Sequence, residues 1–171
     1  MNSQKRIRST RDLSTLQRRL TPLVGEVCSR ARLGYGDELK IDCGKMVPYH
    51  SAKLHGQVRG EWCLGSRGTF WVIEWDGKTT TSRSRRSSIS DALEAVTGRI
   101  IKDVAVAYRQ LALSIQLGDA CRLVIEERQR EATEDVLPMW ELFTPRGECI
   151  QAGPGRRYSV SGSHKTGRLD R

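Results

Sequence analysis

No stretch of this chain approaches the roughly 18 to 20 uncharged apolar residues that a membrane-spanning helix requires, and the basic start, Met1 to Arg11, has no apolar segment behind it. Neither a membrane span nor a secretory signal is expected. A Cys-x-x-Cys pair is also missing, and the five cysteines, Cys28, Cys43, Cys63, Cys121 and Cys149, are odd in number. That argues against a disulfide framework and for reduced thiols in a cytoplasmic protein, serving mainly as small core residues. Aromatic residues make up 6% and hydrophobic residues 37%, which is low for a globular chain. The apolar residues nevertheless fall in periodic runs, so wholesale disorder is excluded and a modest core is expected.

The machinery of catalysis is equally sparse. There are three histidines, and none stands with a nucleophile in a recognisable constellation. Gly153-Pro154-Gly155-Arg156-Arg157 could offer backbone amides and two guanidinium groups to a phosphate, but without a Gly-Lys-Ser/Thr or a strand-to-helix context it reads as a turn. Ser159-Val160-Ser161-Gly162-Ser163 lacks the first glycine of a nucleophile elbow. The acidic pairs Glu126-Glu127 and Glu134-Asp135 read as a solvated loop, and His164 as a solvated tail residue. Cys43, His50, His55 and Cys63 could in principle bind zinc, but spacings of seven, five and eight do not give the closely paired ligands of compact sites. No catalytic residue, metal or cofactor is expected.

What the chain has in excess is positive charge, formally +9. Residues 1–36 hold eight Lys/Arg against two acids, residues 77–86 four against none, and residues 151–171 five against one, whereas 37–76 and 87–150 together hold twelve against seventeen. The basic excess therefore lies outside the segments with the strongest strand patterns, as in solvated tails or arms that grip an acidic partner.

The other positive signal is an internal repeat. Leu20, Leu23, Gly25, Val27, Ala31 and Tyr35 recur 73 residues later as Leu93, Val96, Gly98, Ile100, Val104 and Tyr108. Leu39, Ile41 and Gly44 recur at 74 as Leu113, Ile115 and Gly118, and Trp62, Leu64 and Gly77 at 78 as Trp140, Leu142 and Gly155. Glycine and the aromatics are scarce residues with separate jobs, turns and large-area packing, so their agreement outweighs that of the aliphatics. Each unit opens with a short helix, expected over Leu13 to Leu20 and over Asp91 to Val96, the second started by the Asp91/Glu94 capping-box spacing. Alternating runs follow: Leu39, Ile41, Cys43 in the first unit and Leu111, Leu113, Ile115, Leu117 in the second, with Gly118-Asp119 as a hairpin turn. A Trp-centred strand pair closes each unit, Trp62 to Leu64 with Phe70 to Trp75, and Trp140 to Phe143 with Glu148 to Ala152.

The pattern Leu-x-x-Leu/Val-x-Gly-x-Val/Ile, then Leu-x-Ile-x-x-Gly, then Trp-x-Leu resembles a family of small, uncharacterised bacterial domains of unknown function, more clearly over 93–160 than over 20–82. The resemblance implies a fold more than an activity, and some similar proteins sit among immunity-type genes.

The expected architecture is α+β: two tandem copies of a short helix followed by an antiparallel sheet, packed as a pseudo-symmetric pair, with Trp62 and Trp140 in equivalent positions. The division is a basic arm at 1–11, a first module at 12–78, a Ser/Arg-rich linker at 79–88, a second module at 89–160 and a flexible tail at 161–171. The expected function is non-enzymatic protein binding, of immunity or regulatory type. The alternative is nonspecific nucleic-acid binding through the basic arms, including Lys5, Arg6, Arg8, Arg11, Lys165 and Arg168, with an enzyme of unknown class third. Trp71, Trp75, Arg83, Arg85, Arg86, Arg156 and Arg157 are the expected partner contacts, tryptophan and arginine being favoured interface anchors.

Overall fold

The structure is a computed structural model, and it describes residues 3–49, 52–67, 69–108, 110–126 and 137–162. Strand β1 (Ser3–Arg6) precedes helix α1 (Thr10–Leu20), and β2 (Cys28–Leu33), β3 (Leu39–Pro48) and β4 (Val58–Ser66) form a meander. The hairpin β5 (Phe70–Trp75) and β6 (Lys78–Thr81) comes next. Helix α2 (Arg86–Val96) then opens a second round: the meander β7 (Ile101–Val106), β8 (Leu113–Leu117) and β9 (Cys121–Glu126), followed by the hairpin β10 (Trp140–Phe143) and β11 (Glu148–Ala152), and finally β12 (Arg157–Gly162). Among the described residues no helix is long and apolar enough to cross a membrane.

The strands assemble into a seven-stranded sheet, β1-β12-β11-β10-β4-β3-β2, and a five-stranded sheet, β6-β5-β9-β8-β7. Each sheet therefore joins the meander of one repeat to the hairpin of the other. The two units are interleaved, and inner-face residues of both sheets, from Ile41 and Trp62 to Ile115 and Leu123, share one hydrophobic core.

The repeat is visible in the hydrogen bonds. Gly25 N–H donates to the Ile101 carbonyl at 2.8 Å and Gly98 N–H to the Cys28 carbonyl at 2.7 Å. Cys28 N–H donates to Arg99 and Ile101 N–H to Glu26, both at 2.8 Å, around an antiparallel bridge between Val27 and Ile100. Every bond of this set has its mate 73 residues away, so a pseudo-twofold axis passes between Val27 and Ile100. At the spacing of 74, Gly44 N–H reaches the Val27 carbonyl (2.9 Å) as Gly118 N–H reaches that of Ile100 (2.8 Å).

The last register of the repeat needs correction. Ile41 pairs with Leu64 and Ile115 with Leu123, so the counterpart of Leu64 is Leu123, not Leu142. Trp140 answers to Trp71: both are fully buried, and their indole N–H groups donate to carbonyls 74 residues apart, Asp37 (2.7 Å) and Leu111 (2.8 Å). Trp62 instead sits on β4, and β10 pairs directly with β4. Nor do β4 and β5 form a hairpin, since they belong to different sheets. Trp62-Cys63-Leu64 and Trp71-Val72-Ile73 are both Trp-x-aliphatic runs, so Trp140-Glu141-Leu142 matches either on a two-residue period.

Both helices begin earlier than expected. Ser9 and Asp12 make a full capping box on α1, Ser9 Oγ accepting from Asp12 N–H and Asp12 Oδ2 from Ser9 N–H at 3.0 Å. Helix α2 starts at Arg86 without a side-chain cap, so Asp91 and Glu94 lie within it instead of at its start. Residues 79–88 accordingly hold the end of β6, a turn closed by Thr81 N–H on Ser84 Oγ (3.0 Å) and the first residues of α2. Of the basic arm, Ser3–Arg6 form β1 and Thr10 and Arg11 belong to α1.

Candidate functional site

Strand alternation sends Leu39, Ile41, Cys43, Trp62, Leu64, Trp140 and Leu142 into the core and leaves Lys40, Asp42, Cys63, Glu141 and Phe143 on the outer face of the seven-stranded sheet. Register places Arg30 opposite Asp42 and Arg32 opposite Lys40, both on the edge strand β2. Asp42 is 1% exposed even so. Its Oδ2 takes the Arg30 guanidinium at 2.6 Å and lies 3.6 Å from Arg32, while Oδ1 accepts from Gly60 N–H (3.1 Å) and the Cys63 thiol (2.8 Å). Burial alone would raise the Asp42 pKa, but the Cys63, Gly60 and Arg30 hydrogen bonds outweigh it and hold the carboxyl below its usual range. The Gly60 contact depends on glycine: a Cβ there would meet the Cys43 backbone nitrogen at 2.6 Å, beside the bulge between Cys43 and Met46.

Above this buried carboxylate lies a cleft of about 410 Å³, lined among others by Arg32, Lys40, Tyr49, Arg59, Glu141 and Phe143. Glu141 is engaged by Arg67 at 3.6 Å and by the Gln151 side-chain amide at 3.3 Å. Among the described residues Lys40 and Arg59 have no carboxylate partner, and the Arg59 guanidinium stands 5.9 Å from the Tyr49 ring centre. The cleft thus combines two aromatic rings with three cations, Arg32, Lys40 and Arg59, against one carboxylate, Glu141. Its one thiol, Cys63, is pushed up to about 12 by burial and by the adjacent Asp42, so it stays protonated at neutral pH.

The contacts expected from sequence fall in several places. Trp71, expected as an exposed anchor, is fully buried, because β5 is the second strand of its sheet and its indole is held by Asp37. Trp75 is half-buried, with its N–H on Thr80 Oγ1 at 3.3 Å and Lys78 Nζ 4.4 Å over its ring. Arg83, Arg85 and Arg86 are exposed at the start of α2, Arg86 within 3.7 Å of Asp37. Arg156 and Arg157 are exposed at the start of β12, and the β1–β12 pairing sets Arg6 opposite Arg157 and Lys5 opposite Tyr158. Arg86 thus lies beside β2, one edge of the seven-stranded sheet, and Arg6 and Arg157 lie at the other, β1 with β12.

Among the described residues no group of three or more His, Cys, Asp or Glu side chains is placed to hold a metal. His50, Glu127, Glu134, Asp135, His164, Lys165 and Arg168 lie outside the described residues. Sequence reasoning missed Lys40, Tyr49, Arg59 and Phe143. The only signal available was the alternation around Leu39, Ile41 and Cys43, which turns Lys40 outward, because the pairing of β10 with β4 that brings Phe143 to Cys63 has no local signature.

No family model, curated protein or solved structure matches the chain, so the roles of these residues rest on their geometry.

Proposed function

We propose that the chain is a non-enzymatic protein-binding module, of immunity or regulatory type, that presents the outer face of its seven-stranded sheet to an acidic surface of its partner. The observation that carries this reading is the pair of cations, Lys40 and Arg59, without an ion-pair partner among the described residues in a cleft that Tyr49 and Phe143 also line. Cations of this kind favour an incoming carboxylate, and tyrosine and arginine supply the contact area of interface anchors. The protonated Cys63 thiol supports binding over nucleophilic chemistry.

A second reading, nonspecific nucleic-acid binding, is favoured by one feature: Lys5, Arg6 and Arg8 share the β1 edge with Arg156 and Arg157. Such a patch would contact phosphates and give steep salt dependence. Affinity capture from native lysate, with and without nuclease, separates the two when wild type is compared with Lys40→Glu/Arg59→Glu and Arg156→Ala/Arg157→Ala. Protein binding predicts a nuclease-insensitive partner lost only in the first variant. Retention abolished by nuclease and by the second variant establishes nucleic-acid binding instead.

A further inference from the structure

Where each helix covers an edge strand, the two repeats bridge the outward backbone groups with different side chains, Gln17 at one edge and Thr97 at the other. At β7 the Gln17 amide of α1 bridges two of the outward-facing backbone groups: Nε2 donates to the Val104 carbonyl and Oε1 accepts from Val106 N–H at 3.1 Å. A helix side chain thus spans this stretch of the edge. At β2, Gly34 N–H donates to the Glu38 carbonyl at 2.7 Å, which turns Gly34, Arg32 and Arg30 toward β3 and leaves Ala31 and Leu33 facing outward. These are the counterparts of Val104 and Val106. The counterpart of Gln17 is Ser90, an exposed residue of α2 whose side chain is two atoms shorter. Ala31 N–H finds Thr97 Oγ1 at 3.3 Å, but the Ala31 carbonyl and Leu33 N–H have no partner among the described residues.

Two further features fall at the same place. A hollow of about 430 Å³ opens between β2 and α2, lined by Ala31, Leu33, Ile89 and Leu93 with the two cations Arg32 and Arg86 and one carboxylate, Glu94. Tyr35, just beyond β2, is 92% exposed, whereas its counterpart Tyr108 donates its hydroxyl to the Arg8 carbonyl at 3.0 Å.

We infer that the β2 edge is a strand-addition site that takes an extended, acidic segment of a partner protein, a conclusion that rests on the protein-binding reading above. An unpaired edge is a template for another chain, and proteins ordinarily close or charge it. Here the strand carries arginine, not lysine or proline, and the closing glutamine is absent on this side only. Main-chain bonds to the Ala31 carbonyl and Leu33 N–H would supply affinity, and alternate side chains would supply specificity. One face of the added strand would run beside Arg30 and Arg32, which share the single carboxylate of Asp42, and Arg86 and Tyr35 would flank it. That row favours acidic residues at alternate positions. It also disfavours a second copy of this chain, which would set Arg30 and Arg32 against themselves.

The test is selection of a random peptide display library on the full chain, followed by affinity measurements for the enriched peptides. Enriched sequences should alternate Asp/Glu with apolar residues. They should lose about tenfold or more in affinity for Ser90→Gln, which restores the closing amide. Arg156→Ala/Arg157→Ala should bind them unchanged, and the Leu33 amide should become protected from exchange in the complex. Failure to enrich any peptide, or equal affinity for Ser90→Gln, overturns the inference. If binding survives Ser90→Gln but is lost in Lys40→Glu/Arg59→Glu, the strand-addition site falls while the protein-binding reading stands. If the chain itself sediments as a dimer that Ser90→Gln dissociates, the occupant is a second copy and the acidic partner is ruled out.

Discussion

The β7 and β2 edges are built by equivalent strands, helices and turn glycines, yet Gln17 bridges a carbonyl and an amide of one that Ser90 leaves unbridged on the other. The bridged edge shows what the scaffold does when an edge has only to be stable. A helix side chain replaces the missing strand. The β2 edge departs from that solution at Ser90 and at the exposed Tyr35, beside the hollow against α2. Symmetry thus separates the residues that make the fold from those free to make contacts. The cationic cleft follows the same rule: Asp42, which organises its arginines, has Gln116 as its counterpart at the spacing of 74.

The comparison can be broken first at its strongest point. Trp71→Ala and Trp140→Ala each remove a fully buried indole with an equivalent hydrogen bond, and each should cost about 3–5 kcal/mol in a denaturant titration. Losses that differ by more than about 2 kcal/mol would mean that the two positions are not equivalent.

Asp42→Asn should cost about 2 kcal/mol, less than a fully buried ion pair because Arg30 is 37% exposed, whereas Gln116→Ala should change little. The Asp42 carboxyl titrates below its unfolded value, so its contribution is present in full above about pH 4 and is lost as pH falls through the folded value. Stability curves of wild type and Asp42→Asn should therefore converge on acidification. A gap that is constant with pH would assign the loss to packing.

Gln17→Ala should cost about 1–2 kcal/mol by stranding two backbone groups, against less than about 0.5 kcal/mol for Ser90→Ala. At the axis, Gly25 and Gly98 hold φ of +95° and +83° with nothing near a would-be Cβ. Gly25→Ala and Gly98→Ala should each cost about 1 kcal/mol, a purely conformational penalty that thermal melts of the two variants can compare.

The early registers of the repeat were legible because Gly25, Gly98, Gly44 and Gly118 need positive φ at the turns that define them. The alternating strands β3 and β8 were legible for the same kind of local reason, a two-residue period with one buried face. The exchange of hairpins between sheets was not, since β4 with β10 and β5 with β9 are contacts between distant segments that no period encodes. Trp71 read as an available anchor for that reason: burial is decided by β9, beside which it lies. The cleft and the open edge were hidden more deeply. Gln17 and Ser90 look like ordinary polar helix positions until the strands they face are known.

The most direct test is residue-resolved amide hydrogen exchange of Leu33 and Val106 in the free protein and in the swapped variant Gln17→Ser/Ser90→Gln. In the wild type Leu33 should exchange at least about tenfold faster than Val106, and the swap should reverse the order as the closing amide moves from one edge to the other. Equal protection of the two amides in the wild type, or an order that the swap leaves unchanged, would contradict the account.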